Sequence, residues 1–581
     1  MDNLLHVVPS WWAGLEGLDA VAQALLAIRE SFEGTDATLT DALATGLRAA
    51  GFAGAGVRVD GRALDSVATL GELGIVHGSQ LTTGGEPAVD SDDIPNGYAV
   101  VVVAGPESGL LIPLVTGRPV VVGRGSGAEL RIDDPLLSLR HCVIELSKDG
   151  PTVADLGSTN GTVCEGCPVT EPFLITIGSH LEVGSSLLAV VVVEDGDRAI
   201  LRDLDPLPDP GSPPQKPAEN PMVFRLAWWR ALLPLITGAG FAAMTGRWIF
   251  LAIIAVTPLV MTIDIFRRRR ARDRAEVEQT RRYEADLADY WTRLADARRA
   301  EKMRRRHQTS GGGIAAWHAR VRHRRVWERL PDYPDFGEVT IAYGRLASTI
   351  SPESSPIGET PARLWGVPLG FPLLGTGSLA VTGPVHRARA AVRSMLIDLG
   401  THHSPTDVKV WVLTADRAGS EWDFARWLPH THWGSHANRL ASSGPDRSRL
   451  VKELKQVTDS RAELGRGETR TLPVHIVVID GTDLLGPAEL ADLLDRGPPH
   501  AVVGITIDEI TVPEGVSGTL AIGAPVAGSR FESRDQPLVE GLVPCEMTPA
   551  VADEAARRLA PLRPAARQER LGRPTSSTFS T

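Results

Sequence analysis

Gly123-Arg124, Ser138-Leu139-Arg140-His141 and Gly157-Ser158-Thr159-Asn160-Gly161-Thr162 are three short polar blocks set between apolar runs. The runs are Pro119-Val-Val-Val122, Cys142-Val-Ile-Glu-Leu146, Thr152-Val-Ala-Asp-Leu156 and Leu187 to Val193. Their valines, isoleucine and threonine favour a half-buried pleated surface, so the runs predict strands and the blocks predict the loops that join them. Residues 95–195 therefore read as a β-rich unit with arginine, hydroxyl and amide donors gathered on its loops. Loops on a rigid sandwich are where recognition residues concentrate. A guanidinium fork with hydroxyl and amide donors suits a dianionic phosphate.

The three blocks, in this order and spacing, resemble the forkhead-associated (FHA) family across a whole domain. The resemblance implies a phosphothreonine-peptide site in which Arg124 and Ser138 meet the phosphate. Thr159 would contact the phosphothreonine region, and Asn160 would hold the peptide backbone beside it. Gly123, His141 and Gly161 take architectural roles in the same comparison. Leu139 stands where many members carry arginine, which leaves it outside any phosphate role, while Arg140 adds a cation nearby.

Residues 1–88 read as a small α/β unit. Leu39, Leu43 and Leu47 recur at helical spacing after Asp36 and Thr38, and Val57 and Val59 alternate before the turn at Asp60-Gly61-Arg62. Val59-Asp-Gly-Arg-Ala-Leu64, then Thr69-Leu-Gly-Glu-Leu-Gly-Ile75 and Gly78-Ser-Gln-Leu81, resemble the second half of ubiquitin-like β-grasp domains and imply a docking surface. Residues 196–224 form a spacer in which repeated prolines keep the chain extended. Two apolar runs follow within residues 225–270, Ala227 to Thr245 and Trp248 to Phe266, each near the roughly 20 residues that cross a bilayer. With Arg267-Arg268-Arg269-Arg270 behind them they predict a two-span hairpin in the cell membrane, both termini cytoplasmic. Residues 271–310, charged and carrying Val277, Tyr283, Leu287, Tyr290, Leu294 and Ala297 at helical steps, predict a stalk helix ended by Ser310-Gly-Gly-Gly313.

Residues 320–565 alternate strand-like runs (Leu379–Thr382, Lys409–Thr414, Val474–Asp480, Ala501–Ile507, Thr519–Gly523) with helical ones (Arg387–Leu399, Arg447–Leu464, Ala488–Leu494), as a doubly wound sheet does. Arg325-Val-Trp-Glu-Arg329, Asp332-Tyr-Pro-Asp-Phe336, Leu379-Ala-Val-Thr-Gly-Pro384, His403-Ser-Pro405 and the stretch Glu421 to His430 resemble FtsK/SpoIIIE-type ATPases of type VII secretion. With the domains in front, the chain resembles the N-terminal half of such EssC/EccC-like proteins. A working phosphate loop needs a late glycine, a lysine and a hydroxyl. After Gly383 this chain has Ala388, Arg389 and Ala390 in those places, and Asp480 is followed by Gly481 rather than an acid. The degenerate nucleotide site Gly383, Arg389 and Asp480 thus implies a pseudo-ATPase. Residues 566–581 are a polar tail.

The expected fold class is multidomain α+β: a ubiquitin-like β-grasp-type unit, an FHA β-sandwich, a two-helix transmembrane hairpin with a helical stalk, and an α/β doubly wound pseudo-ATPase domain. A net charge of -11 over 581 residues argues against a nucleic-acid coat, so no direct nucleic acid is expected. Four cysteines give no disulfide framework, and the C-x-x-C of Cys164 and Cys167 lacks the further ligands of a zinc site. No catalytic residue, metal or cofactor is assigned. The expected function is a membrane-anchored phosphothreonine-binding scaffold, non-catalytic, within a type VII secretion-like complex. The expected partners are a phosphothreonine-containing protein, the membrane and the complex's other subunits, and self-association is compatible with the architecture. The competing readings are an ATP-driven translocase, or a fragment of one, and a signalling adaptor unrelated to secretion.

Overall fold

The computed structural model describes residues 97–192, 207–217, 228–247, 249–350, 362–415, 421–432, 439–463, 472–524, 528–534 and 536–562, with four short strands before them. Those strands, His6–Pro9, Val57–Val59, Arg62–Ala63 and Gln80–Thr83, form one sheet in which the first and last run parallel. The helix expected at Leu39–Leu47 lies outside the described residues. The chain divides into two units, residues 1–204, 302–346 and 363–581 in one, and 205–301 with 347–362 in the other.

In the first unit the β-rich expectation becomes a two-sheet sandwich. One sheet is built on Val120–Gly123, Cys142–Ser147 and Gly150–Asp155, all antiparallel neighbours. The other runs through Thr162–Cys164, His180–Val183, Ser186–Val192 and Tyr98–Pro106. Alternate residues point inward, so Val120, Val122, Cys142, Ile144, Val153, Leu181, Val183, Leu188 and Val190 make one apolar core. Cys164 and Cys167 lie on strands. They face each other across the Thr162–Cys164/Cys167–Pro168 hairpin, with Cys164 buried and Cys167 exposed.

The α/β region contains the strands Ser378–Thr382, Val408–Thr414, Val474–Asp480, Val502–Asp508 and Val516–Ala521, joined in parallel. Parallel strands are covered on both faces, which is why they read as continuous apolar runs. Two antiparallel strands, Ser529–Ser533 and Val539–Glu546, extend this sheet, and the last pairs in parallel with Tyr98–Pro106 through Cys545–Gly105 and Glu546–Pro106. Sandwich and α/β layer thereby share one continuous sheet. The stretch at Gly312 and Gly313 does not simply end a stalk. It opens the buried helix Gly312–Arg320, and a Cβ there would lie 2.1 Å from Ser394 Oγ and 2.5 Å from Val102 O. Only glycine lets that helix press against both the sandwich strand and the helix Val385–His402.

The second unit corrects one expectation. The transmembrane hairpin is not met, nor is the two-span cell-membrane location inferred from it. Among the described residues no helix is long and apolar enough to cross a membrane. The first helix, Trp228–Thr245, has 18 residues, about 27 Å at 1.5 Å per residue, against a hydrocarbon core of about 30 Å. Its sequence also includes Arg230, Pro234, Gly238 and Gly240. The second apolar run is not a discrete span. It is the start of one 60-residue helix, Ile249–Gln308, that continues through the arginine-rich segment. Within that helix Tyr290, Leu294 and Ala297 are buried while Val277 is exposed. Its Glu301 carboxylate accepts from the Thr349 amide at 2.9 Å.

Candidate functional site

The three polar blocks converge at one end of the sandwich. Gly123 ends a core strand, and its backbone lies so close to the next loop that a Cβ would sit 2.3 Å from Leu139 O. Arg124, the next residue, sends Nε to Leu137 O at 2.8 Å, which aims an otherwise exposed guanidinium across the Leu137–Ser138 loop. The Ser138 hydroxyl accepts from the Thr159 amide at 3.1 Å and lies 3.4 Å from Thr159 Oγ1. Asn160 Nδ2 donates to Leu136 O at 2.7 Å. Arg124, Ser138, Thr159 and Asn160, distant in sequence, are thus tied to one loop.

Beneath them His141 is fully buried and bonded at both ring nitrogens. Nδ1 accepts the Ser138 amide at 3.3 Å, so the proton sits on Nε2, which donates to Gly161 O at 3.1 Å. One ring therefore sets the spacing of two site loops. Gly161 has φ 75°, a conformation glycine adopts without strain.

Two aspartates complete the support. Asp155 accepts from Gly157 N, Ser158 N, Ser158 Oγ and Thr162 Oγ1 at 2.7–2.9 Å. Burial works against its charge, but those donors outweigh it and hold the carboxyl below the usual range. Asp134, fully buried, takes the amides of Leu136 and Ser185 and the Ser186 hydroxyl. Neither aspartate stands out in the sequence. The only signal is their place in tight turns, where short carboxylates collect backbone amides. Leu139 and Leu156 are exposed on the same loops, and Arg140 is exposed beside them.

The second candidate set lies in the α/β layer. Gly383, at φ 123°, turns the chain from strand Ser378–Thr382 into helix Val385–His402. Arg389 Nε meets Asp480 Oδ1 at 2.9 Å. The other oxygen of Asp480 accepts from Thr414 Oγ1 at 2.8 Å and Trp422 Nε1 at 2.9 Å. Asp480 is 4% exposed, so both of its oxygens are committed inside the protein. Arg387 is paired in turn with Glu546.

Known proteins resemble parts of this chain. Residues 101–194 match the family described as the inner membrane component of T3SS, cytoplasmic domain. The FHA domain-containing protein FhaB of Mycobacterium tuberculosis is 33% identical over 89 residues, which is 15% of this chain and 57% of that protein. The ESX-3 secretion system protein EccC3 of Mycobacterium tuberculosis is 26% identical over 314 residues, 48% of this chain and 23% of that protein. The ESX secretion system protein EccC of Thermomonospora curvata is 25% identical over 280 residues, 42% and 20% of the two chains. The chain thus spans less than a quarter of the length of these two EccC relatives. With its polar loops converged on a sandwich and an α/β layer continuous with it, the chain carries a forkhead-associated domain and is similar to the EccC-type proteins of type VII (ESX) secretion systems.

Proposed function

We propose that the chain is a phosphothreonine-peptide-binding scaffold of a type VII secretion-like complex, without ATPase activity of its own. The observation that carries the reading is the convergence of Arg124, Ser138, Thr159 and Asn160 on the one loop of Leu136 to Ser138. Arg124 supplies a charge-assisted fork to the phosphate, and Ser138 and Thr159 supply hydroxyl donors. Asn160, held by Leu136 O, is placed to bond the peptide backbone. The supports are preorganised, so little ordering cost falls on the protein when the peptide binds.

The ion pair in the α/β layer supports the non-catalytic half. Magnesium in a nucleotide site needs an available carboxylate and a loop hydroxyl. Here Arg389 occupies the lysine position and Asp480 neutralises it, while Ala390 offers no hydroxyl. The expected partners are a phosphothreonine protein and secretion-complex subunits.

The test pairs two measurements on the purified full chain. Fluorescence anisotropy with a phosphothreonine peptide library should show binding that Arg124→Ala reduces at least about a hundredfold, the loss of a charge-assisted pair of roughly 3 kcal/mol. ATP hydrolysis should stay at background. Turnover that disappears in Asp480→Asn would replace the scaffold reading with that of a motor.

A further inference from the structure

We propose that Cys164 and Cys167 are a disulfide-forming redox pair, and that closing the bond stiffens the turn through which the sandwich holds Lys302 and Arg306. The proposal is independent of the phosphopeptide reading.

The hairpin decides which atoms meet. Cys164 and Cys167 are direct register partners in an antiparallel pair, so their side chains leave the same face. The bond from Val169 N to Thr162 O at 2.9 Å fixes that register further along the hairpin. Between the cysteines, Glu165 and Gly166 have φ 53° and 87°, the two positive values of a type I′ turn. Direct partners beside such a turn have Cα atoms about 5.5 Å apart, a common spacing across a disulfide. Their Cβ atoms, about 4.5–5.5 Å apart in such a pair, need to close by only about 1 Å.

The two thiols differ in access. Cys167 is exposed and Cys164 buried behind it. Burial and the Glu165 charge push Cys164 up to about 11, which keeps it a thiol until its partner has reacted. Cys142 and Cys545, pushed up to about 12 by burial, have no cysteine as register partner. Two sulfurs are half of a zinc site, and among the described residues no group of three possible ligands stands together. The chemistry that fits the pair is exchange with a small-molecule disulfide. The Cys167 sulfur attacks one sulfur of that oxidant, its S–S bond breaks, and one thiol leaves. The Cys164 sulfur then attacks Cys167 and releases the second thiol. The two cysteine protons end on the two released thiols. The cysteines lose two electrons and the oxidant gains them.

Glu165 sits inside the ring that this bond closes. Its carboxylate meets Lys302 and Arg306, the latter at 2.6 Å, and accepts the His180 amide at 2.6 Å. Its own amide donates to His180 O at 3.1 Å. A closed turn loses the open conformations in which Glu165 releases these partners.

The experiment places the purified full chain in glutathione buffers from fully reduced to fully oxidised. Mass spectrometry reads the cysteines, and deuterium uptake reads the His180–Val183 strand. The oxidised wild type should yield a Cys164–Cys167 peptide lighter by two hydrogens, with Cys142 and Cys545 still free. Uptake in the strand should slow by about tenfold, the order that closing so short a loop gives. Cys167→Ser changes an exposed position and should show the same uptake in both buffers. Cys164→Ala should accumulate on Cys167 the glutathione adduct that the wild type resolves. The proposal is overturned by a wild type that stays a dithiol in oxidised buffer or stops at that adduct. It is equally overturned by a disulfide that leaves uptake unchanged, or by slowing that persists in Cys167→Ser.

Discussion

At the scale of single residues, the Leu139 carbonyl determines what can stand at position 123. A side chain there would approach within 2.3 Å of that oxygen, so an alanine must push away the loop that carries Ser138. Gly123→Ala should cost about 1–3 kcal/mol as an overpacked contact and weaken phosphothreonine binding, because Arg124 and Ser138 move with the loop. Gly127 has nothing within 4 Å of its added Cβ, and Gly127→Ala should stay within about 0.5 kcal/mol. Chemical denaturation and peptide anisotropy on the two variants check this. Equal effects would mean the close approach is not what fixes the loop. The gathering of Arg124, Ser138, Thr159 and Asn160 at one loop was legible because motif blocks keep local spacing in sequence. Asp134 and Asp155 were not, because an aspartate in a turn looks the same whether it caps solvent-facing amides or holds a binding loop. Arg389 was legible as a lost lysine, but its bond to Asp480 joins residues 91 positions apart and only the folded sheet brings them together.

Among the elements, the hairpin Thr162–Cys164/Cys167–Pro168 does more than close the sandwich edge. Its turn residue Glu165, at φ 53°, meets Lys302 and Arg306, the latter at 2.6 Å with only 6% of its side chain exposed. Removing one partner of such a buried pair costs about 3–5 kcal/mol because the remaining charge stays desolvated. Glu165→Ala should therefore speed hydrogen exchange in the His180–Val183 strand, whose first amide Glu165 accepts at 2.6 Å. Arg299→Ala, which breaks an exposed pair with Asp296, should change exchange little. Similar protection in both variants would show that the hairpin docks through its backbone alone. Element reading from sequence succeeded where periodicity is local: the parallel strands and the helix Gly444–Ala462 lie close to where apolar spacing put them. It failed over residues 225–270. There, apolar content predicts a pair of discrete spans, while the second run continues uninterrupted into a charged helix. Hydropathy counts residues, whereas helix propagation follows the absence of a break. The pairing of Tyr98–Pro106 with Val539–Glu546 had no local signature, since edge strands that meet across more than 400 residues leave no spacing to read.

For the first unit as a whole, the continuous sheet buries histidines on either side of the junction, and they set its response to acid. Burial and neighbouring cations depress His180 to about 3, burial with Arg325 and Arg324 depresses His323 to about 4, and burial brings His430 to about 4. His318, His403 and His475 are held well below the usual value by the same desolvation. These imidazoles are neutral when folded, whereas the unfolded chain takes up protons below about 6.5. A base with a depressed folded pKa contributes stability that is complete above its unfolded pKa and is lost as pH falls. Each such group removes up to about 1.4 kcal/mol per pH unit within its window. Asp398 and Glu338, raised by burial, act in the opposite direction, but they are fewer. Glu165 and Asp508, each lowered to about 2, begin to matter only below about 4.5. Stability should therefore fall between pH 6.5 and 4.5, ahead of the carboxylate-driven loss. Differential scanning fluorimetry across pH 4.5–8 checks it: the unfolding midpoint should be level above pH 7 and drop steadily below 6.5. A midpoint that stays flat to pH 5 would mean that these histidines find proton-accepting partners in the folded state. In that case His402, bonded to Asp398 at 2.7 Å and 3.1 Å from His318, would be the first place to look for the compensating charge.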